Sequence, residues 1–310
     1  MKRTVRLGLQ AAVTVALVGL LVANTDFAAV GGVLGRLSPI AVVALAAVML
    51  VQGVASGVRW HRLLALLGEH PGVPPVIGDT FVGMSYNMVL PTSVGGDFVR
   101  AWRNARRLER AAAAWSTVLF ERVAGVVSLA LFGAAAVGLG SLEATGAVGW
   151  TALVLGVAGV VVFLGLEAPF ALLLKVLRRR LTSPPAILAG IREDLGGVLA
   201  STRARALAIA WSLVCTGLGL LFAIVAALFL GATDAVRPLV IGLPIIFVVS
   251  LLPVTINGLG LREGLYVVVL GQLGVDESIA MAIALLSLAG LLFQALVGLL
   301  VMAAEQLRSG

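Results

Sequence analysis

Six uninterrupted apolar stretches constrain the fold of this chain more than any other feature. They cover residues 5–23, 40–58, 113–140, 148–174, 206–230 and 279–303. A helix needs about 20 apolar residues to cross the hydrocarbon core of a bilayer. The chain is 60% hydrophobic and only 12% charged, against roughly 25% charged residues in a soluble domain. The sequence therefore predicts an all-α polytopic membrane protein with one transmembrane domain over residues 1–310.

The charged and metal-binding residue types exclude several other classes of protein. A net charge of +7 would suggest nucleic acid in a soluble protein, but the basic residues lie between apolar stretches, as in membrane proteins. One cysteine, Cys215, and two histidines exclude a disulfide framework and a metal site based on cysteine or histidine. No Walker A lysine or other nucleotide motif is present. We expect no cofactor, nucleotide or nucleic acid, and a homo-oligomer stays possible.

The distribution of basic residues predicts the orientation. Lys2 and Arg3 precede the first stretch, which we interpret as an uncleaved helix; Arg59 and Arg62 follow the second, and residues 175–180 are basic after the fourth. Basic residues mark cytoplasmic loops, so both termini are expected in the cytoplasm. The abundance of alanine, valine, leucine and arginine suggests a bacterial source and hence the inner (plasma) membrane.

Two further apolar segments are broken in the middle, residues 76–99 and residues 238–273. Basic residues flank the first on both sides, so it is expected to enter the membrane and return to the cytoplasm. The second must likewise return to the outer side. We therefore predict two opposed re-entrant helical hairpins, about residues 76–110 and 238–275. Such irregular backbone survives at membrane depth only beside protein or a water-filled cavity, and paired breaks indicate a transport site.

The connection at residues 181–203 has apolar residues at helical spacing, namely Ile187, Ile191, Leu195 and Leu199. This pattern predicts a cytoplasmic amphipathic helix at the membrane interface, with Asp194 away from its apolar side.

The first break supplies the first set of candidate binding residues. Charged residues within membrane segments are costly and are functional candidates. If a helix resumes after Gly96, Asp97 is its N-cap and Arg100 lies one turn on. Arg100 and Arg103 would then clamp a lipid phosphate. Alternatively, Asp97 caps a cytoplasmic helix whose arginines meet anionic headgroups. The full set is Asn87, Pro91, Gly95, Gly96, Asp97, Arg100 and Arg103.

Glu121 and Arg122 begin the third uninterrupted stretch. Neighbours on a helix point about 100° apart and do not pair, so each needs another partner. We predict that Glu121 pairs with an arginine of the first hairpin, and the alternative is a snorkelling interfacial pair.

The second break supplies the remaining candidates, Asn257, Gly258, Gly260, Arg262 and Glu263. Asn257 is predicted to cap a new helix whose free N–H groups, with Arg262, attract an anion. Glu263 would hold Arg262 or carry a proton. In contrast, Gln52, Ser56 and Gln294 are expected to form helix–helix hydrogen bonds.

These motifs resemble those of the lysylphosphatidylglycerol synthase transmembrane-region family. The three ordered motifs are N-x-x-L-P-x-x-x-G-G-D-x-x-R from Asn87, E-R-x-x-G from Glu121, and P-x-x-x-N-G-L-G-x-R-E-G from Pro253. In bifunctional members this region is similar to a flippase for aminoacylated phosphatidylglycerol, and a separate domain performs the transfer. Here the chain ends at Gly310, soon after the last helix. The resemblance therefore implies transport without synthesis, and no enzymatic activity.

The sequence thus predicts a flippase for an anionic phospholipid or a lipid-linked intermediate. Two alternatives are a small-solute transporter coupled to protons or ions, and a membrane-embedded enzyme acting on lipid phosphates. A structural scaffold would leave the charges at the two breaks unexplained.

Overall fold

A computed structural model describes residues 2–90, 95–138, 154, 186–250, 254–255 and 258–309, and this part of the chain is helical. Its elements are α1 (Lys2–Asn24), α2 (Phe27–Leu34), α3 (Pro39–Leu66), α4 (Val73–Val89), α5 (Gly95–Ala105), α6 (Ala111–Gly138), α7 (Ala186–Ala200), α8 (Thr202–Phe229), a 3₁₀ turn (Thr233–Ala235), α9 (Val236–Ser250), α10 (Leu261–Gln272) and α11 (Glu277–Ser309).

Four predicted spans correspond to long apolar helices of the structure. These are α3, α6, α8 and α11, and all four are long and apolar enough to cross a membrane. The first predicted span corresponds to α1; Gln10–Asn24 of this helix and α2 together are also long and apolar enough, and the chain bends by 82° between them. Asp26 begins α2 at this bend, because its carboxylate accepts the N–H groups of Ala28 and Ala29. The predicted span at 148–174 lies outside the described residues.

The second broken segment differs from the prediction in one respect. The 3₁₀ turn and α9 together cover Thr233–Ser250 and are long and apolar enough to span the membrane on their own, although Pro244 lies inside α9. The sequence pattern assigns this stretch to one half of the second hairpin, because the helix breakers that follow it are the strongest local signal in the segment. The described residues therefore contain five candidate spans, or six with the bent pair.

Both broken segments reverse the direction of the chain. Near its middle, α4 meets the start of α5 at Gly83 and Gly96, and Asp79, one turn earlier in α4, contacts Arg103 near the end of α5. The two helices are therefore antiparallel. The helices α9 and α10 are antiparallel as well, since Gly242 near the start of α9 packs on Leu270 near the end of α10.

The helix α5 carries its polar residues inward and its aromatic residues outward. Asp97, Arg100 and Asn104 are buried, whereas Phe98 and Trp102 are exposed. This distribution is the reverse of a helix on the surface of a soluble protein, whose apolar stripe faces the core.

Glycines let α4 fit tightly between α3 and α11. A Cβ at Gly53 in α3 would lie 2.4 Å from the Phe81 ring, and one at Gly298 in α11 would lie 2.1 Å from the Phe81 carbonyl oxygen. The Ser85 hydroxyl also donates a 2.6 Å hydrogen bond to the Ala295 carbonyl. Small residues at such crossings allow close backbone approach in membrane helices. The first hairpin is thus fixed to two long helices.

The helix α7 lies against the bundle, and one of its acidic residues has partners that the sequence did not predict. Leu195 is buried beside Phe120 and Leu63, so protein covers that part of its apolar side. Asp194, predicted to lie away from this side, is buried and pairs with Arg110, and its carboxylate also accepts the Ser116 hydroxyl at 3.0 Å. The helical spacing could not reveal these distant partners.

We predict that Gly298→Ala destabilises the protein through the α4–α11 contact. The added methyl group would lie 2.1 Å from the Phe81 oxygen and 2.3 Å from the Ser85 hydroxyl, and overpacking of this kind costs about 1–3 kcal/mol. Thermal unfolding of the purified protein in detergent should occur at a lower temperature. Gly19→Ala is the matched control, because nothing lies within 4 Å of a Cβ there. Equal unfolding temperatures for the two variants would contradict the prediction.

Candidate functional site

A cavity of about 670 Å³ lies where residues from both hairpins come together. The first hairpin contributes Asn87, Asp97 and Arg100, and the second contributes Arg262 and Tyr266. Each hairpin adds one further polar residue, Thr80 of α4 and Ser250 of α9. The remaining polar and charged lining comes from the long helices: Gln52, Ser56 and Arg59 of α3, Glu121 and Arg122 of α6, Thr216 of α8 and Ser287 of α11. Members of both sets singled out at the breaks therefore face one space, namely Asn87, Asp97 and Arg100 from the first set and Arg262 from the second.

Five of these residues form a continuous network of ion pairs, which we call the cavity charge cluster: Arg59, Asp97, Arg100, Glu121 and Arg122. The Glu121 carboxylate accepts hydrogen bonds from Arg59 and, at 2.6 Å, from Arg100. Arg100 also donates to Asp97 at 3.0 Å, and Arg122 donates to the other oxygen of Asp97 at 2.6 Å. The positive and negative groups thus alternate, as burial of charges requires.

The cluster explains the roles of two adjacent residues of α6. Glu121 and Arg122 do not contact each other but point to different partners, as the helical geometry predicts. The predicted pairing of Glu121 with an arginine of the first hairpin is confirmed by its contact with Arg100. Arg122 instead binds Asp97. Both residues of α6 therefore bind α5. The alternative of a snorkelling pair at the membrane interface does not fit Glu121, which is 3% exposed.

The guanidinium group of Arg100 is contacted on its flat face as well as along its N–H edge. The Trp60 ring lies 4.8 Å from the guanidinium carbon, within the range of a cation–π contact. The indole N–H of Trp60 donates a 2.9 Å hydrogen bond to the Thr117 hydroxyl, which fixes the ring. Trp60 and Thr117 were not singled out in the sequence, because a lone tryptophan in an apolar stretch gives no pairing signal.

The start of α5 is built differently from the prediction. The helix begins at Gly95, so Asp97 lies in its first turn and its carboxylate binds arginines, not the backbone. The side-chain oxygen of Asn87 accepts the Gly96 N–H at 2.8 Å and acts as the cap from outside the helix. A Cβ at Gly96 would lie 1.9 Å from the Gly83 carbonyl oxygen, which explains why a glycine is needed there. Pro91 lies outside the described residues.

The second break positions Arg262 through a glycine cap. Gly258 and Gly260 have φ angles of 75° and 77°, a region that favours glycine. The helix α10 begins after Gly260, three residues later than the predicted cap at Asn257, which lies outside the described residues. The Glu263 carboxylate accepts the Gly260 N–H at 2.8 Å and the Arg262 guanidinium at 3.0 Å. Glu263 does hold Arg262, as predicted.

Arg103 does not join Arg100 in the cavity, although the sequence suggested that the two form one clamp. It belongs to a separate ion-pair group, in which Asp79 accepts from Arg103 at 2.5 Å, from Asn104 at 2.6 Å and from Arg107 at 2.7 Å. Arg103 also binds Glu305 of α11 at 2.6 Å. Asp79 is fully buried. An aspartate between two apolar helical turns is a signal of a buried ion pair, and sequence reasoning missed it.

The rest of the cavity wall is apolar. It includes Met84, Val126, Leu129, Phe222, Phe247 and Leu291. Gln294 of α11 lies behind this wall and donates to the Met49 carbonyl at 2.8 Å and to Gln52 at 2.6 Å, confirming its predicted helix–helix role. In the described ranges, no group of histidine, cysteine or acidic residues is arranged to hold a metal ion. Charged groups and an apolar wall together suit an amphiphilic anion.

We predict that Glu121→Gln destabilises the protein strongly. The substitution leaves Arg59 and Arg100 buried without their shared carboxylate, and breaking a buried pair in this way costs about 3 kcal/mol or more. The expected result is a lower thermal unfolding temperature in detergent. Glu109→Gln makes the same chemical change at an exposed position and should unfold like the wild type. An unchanged unfolding temperature for Glu121→Gln would show that the cluster does not stabilise the bundle.

Comparison with known proteins supplies one match. Residues 8–298 match the family model described as the lysylphosphatidylglycerol synthase TM region. Comparison with curated proteins and with solved structures gives no match. The match covers nearly the whole chain, including both hairpins and every residue of the cavity charge cluster. The chain therefore belongs to the lysylphosphatidylglycerol synthase transmembrane-region family of integral membrane proteins.

Proposed function

We propose that this protein is a lipid flippase of the bacterial plasma membrane that moves an anionic phospholipid or lipid-linked intermediate between leaflets. The observation that carries the proposal is the single cavity shared by the two hairpins. One part of its wall is charged, with Arg100 and Arg262 contributed by different hairpins, and another part is apolar. A headgroup and the adjoining part of its acyl chains require these two environments side by side.

The arginines of the cavity provide the binding step. A guanidinium group binds phosphate oxygens through two parallel N–H donors. In the structure these donors bind carboxylates, Glu121 and Asp97 for Arg100 and Glu263 for Arg262. A phosphate that enters exchanges with a carboxylate for the same arginine. Binding and release then replace one ion pair by another, so that no guanidinium group is left unpaired in the membrane.

The hairpins provide the path. We infer that they enter the membrane from opposite sides and that their breaks meet near the midplane, as the positive-inside rule suggests. The antiparallel packing of α4 on α5 and of α9 on α10 supports this arrangement. A headgroup that leaves Arg100 for Arg262 would then pass from the cytoplasmic side to the outer side. The sequence contains no nucleotide motif, so transport is passive or coupled to a proton or ion gradient.

Transport itself is tested in liposomes that contain fluorescent anionic phospholipids. A membrane-impermeant quencher bleaches about half of the signal without flipping, and we expect further bleaching with the wild-type protein. Arg262→Gln should reduce the additional bleaching at least about tenfold, since one phosphate contact is lost. Arg308→Gln, at an exposed position near the end of α11, is the matched control and should flip lipid normally.

The outcome that contradicts the proposal is bleaching that stays at half for several anionic lipids, with and without a proton gradient. Uptake of a small anion lacking acyl chains would then support a small-solute transporter. A chemically altered lipid produced in detergent, where there is no bilayer to cross, would support an enzyme.

The re-entrant topology is tested separately by labelling single cysteines introduced in a Cys215→Ser background. Cysteines at His70 and Glu109, exposed positions on either side of the first hairpin, should react with an impermeant reagent only from the cytoplasmic side. Cysteines at Asp234 and Asp276, which are also exposed and flank the second hairpin, should react only from the outside. Labelling of His70 and Glu109 from opposite sides would show that the first segment spans the membrane.

A further inference from the structure

Gln52 of α3 lines the cavity with a side-chain amide whose orientation is fixed. One side-chain atom of Gln294 lies 2.8 Å from the Met49 carbonyl oxygen and 2.6 Å from the Gln52 side chain. A carbonyl oxygen can only accept a hydrogen bond, so this atom of Gln294 is its nitrogen, and the Gln52 atom that it binds is the oxygen. The nitrogen of Gln52 has no hydrogen-bond partner among the described residues, so its two N–H donors are available to a ligand.

The helix α11 contacts both hairpins and provides a common scale for positions along the bundle. Gln294 marks the level of Gln52 on this helix. In the first hairpin, the Ser85 hydroxyl of α4 binds the carbonyl of Ala295, the residue after Gln294, at 2.6 Å. The helix α4 therefore passes the level of Gln52 at Ser85.

Arg100 lies on one side of this level. The helix α4 runs antiparallel to α11, because Phe81, one turn before Ser85, packs against Gly298, which lies further along α11. A Cβ at Gly83, midway between these two contacts, would lie 3.3 Å from the Cβ of Arg100. The side chain of Arg100 therefore begins about 3 Å from the level of Ser85, displaced toward the end of α11.

Arg262 lies on the other side of this level. The Tyr266 hydroxyl is 3.2 Å from the Ser287 hydroxyl, and Ser287 precedes Gln294 by about 10 Å along the axis of α11. The helices α10 and α11 pack against each other and are joined by the short connection 273–276, so they are antiparallel. Arg262, one turn before Tyr266, therefore lies about 6 Å back toward Gln294. Its backbone remains displaced from Gln294 by about 4 Å, toward the start of α11.

Gln52 is thus placed between the two arginines that the proposed function uses. All three residues line the same cavity, and the backbones of Arg100 and Arg262 lie on opposite sides of the level of Gln52. A headgroup that leaves Arg100 for Arg262 passes this level, where α3 offers the N–H donors of the Gln52 amide.

We propose that Gln52 is an intermediate binding residue on the translocation path, whose amide N–H groups hold the headgroup phosphate while it passes from Arg100 to Arg262. This inference rests on the proposed function and adds one step to it. An amide is neutral and binds a phosphate oxygen more weakly than a guanidinium group does. A ligand that has to move on requires an intermediate contact of this kind, because a strong contact would retain it.

The first test compares the rate of lipid flipping with the equilibrium binding of the same lipid. Flipping is followed in liposomes with fluorescent phosphatidylglycerol, and binding is followed by native mass spectrometry of the protein in detergent. Gln52→Met keeps an unbranched side chain of similar length and removes the N–H donors. We expect flipping to become at least about tenfold slower, the effect of one lost hydrogen bond to a charged group. Binding should change by less than about twofold, because Arg100 and Arg262 are retained. Flipping at the wild-type rate by a folded Gln52→Met variant would overturn the proposal.

Gln294→Met is the matched control, because it breaks the same hydrogen bond from the other end. It also removes the donor to the Met49 carbonyl, so it disturbs the packing of α3 on α11 at least as much. The amide of Gln52 stays in the cavity, and flipping should therefore remain close to the wild-type rate. Equal slowing by the two substitutions would show that Gln52 acts through helix packing, which is incompatible with the proposal.

Gln52→Arg tests whether the contact has to be weak. A further guanidinium group between Arg100 and Arg262 should bind phosphatidylglycerol at least about fivefold more tightly and release it more slowly, so that flipping again slows. The two substitutions of Gln52 thus both slow flipping but change binding differently, which a purely structural role would not produce. Unchanged binding or faster flipping by Gln52→Arg would contradict the intermediate contact.

Glycerophosphoglycerol separates a lipid from a free phosphodiester as the ligand, because it has the same headgroup and no acyl chains. It should compete with phosphatidylglycerol for the wild-type protein at least about tenfold less well, since it buries no apolar surface. Equal competition would assign Gln52 to a free phosphodiester and overturn the lipid path.

The failure of this inference is distinguishable from the failure of the proposed function. If the wild type flips lipid and Gln52→Met flips it equally fast, only the intermediate contact is overturned. If the wild type flips no lipid, the proposed function is overturned, and this inference with it.

Discussion

The bundle depends on opposite charges that are paired with one another in its interior. Glu121 lies between Arg59 and Arg100, and Asp97 lies between Arg100 and Arg122. Charges in a low-dielectric environment are stable only in contact with partners, so these contacts fix how α3, α5 and α6 can pack. The short helix α5 depends on them most, because its buried side carries the charges. The pairing that holds the helix in place also forms the wall of the cavity.

Two ion-pair groups hold α5 along its length. Near its start, Asp97 and Arg100 connect it to α6, and near its end, Arg103 connects it to α4 and α11 through Asp79 and Glu305. Both groups use arginine, whose planar guanidinium group can bind two carboxylates at once. The first group faces the cavity, where a ligand can reach it, and the second is separate from the cavity. The start of α5 thus faces the cavity, and its end is fixed to α4 and α11.

Sequence reasoning predicted the helical class, four of the spans, both chain reversals and most of the charged residues that face the cavity. These features depend on local patterns: apolar length, helix breakers, and charges within apolar runs. It did not predict Arg59, Trp60 or Asp79 as parts of a site, because their partners are distant in the sequence. The hydrogen-bond partner of Trp60 is 57 residues away and that of Arg59 is 62 residues away. The arginines that bind Asp79 are 24 and 28 residues away. The predicted cap at Asp97 was wrong for a similar reason. A short-range rule supplied a plausible cap there, whereas the side chain of Asn87 from the preceding helix accepts the Gly96 N–H.

The reversed polarity of α5 has a consequence for how the protein is made. Asp97 and Arg100 pair with Arg122 and Glu121, which follow later in the chain, and Arg103 pairs with Glu305 of α11. A segment with these charges inserts unfavourably into lipid by itself. The ion pairs of Asp97 and Arg100 with α6 can therefore form only after α6 has been synthesised. The last turns of α11 supply Glu305, so the ion-pair group at the end of α5 is complete only after α11 has been synthesised.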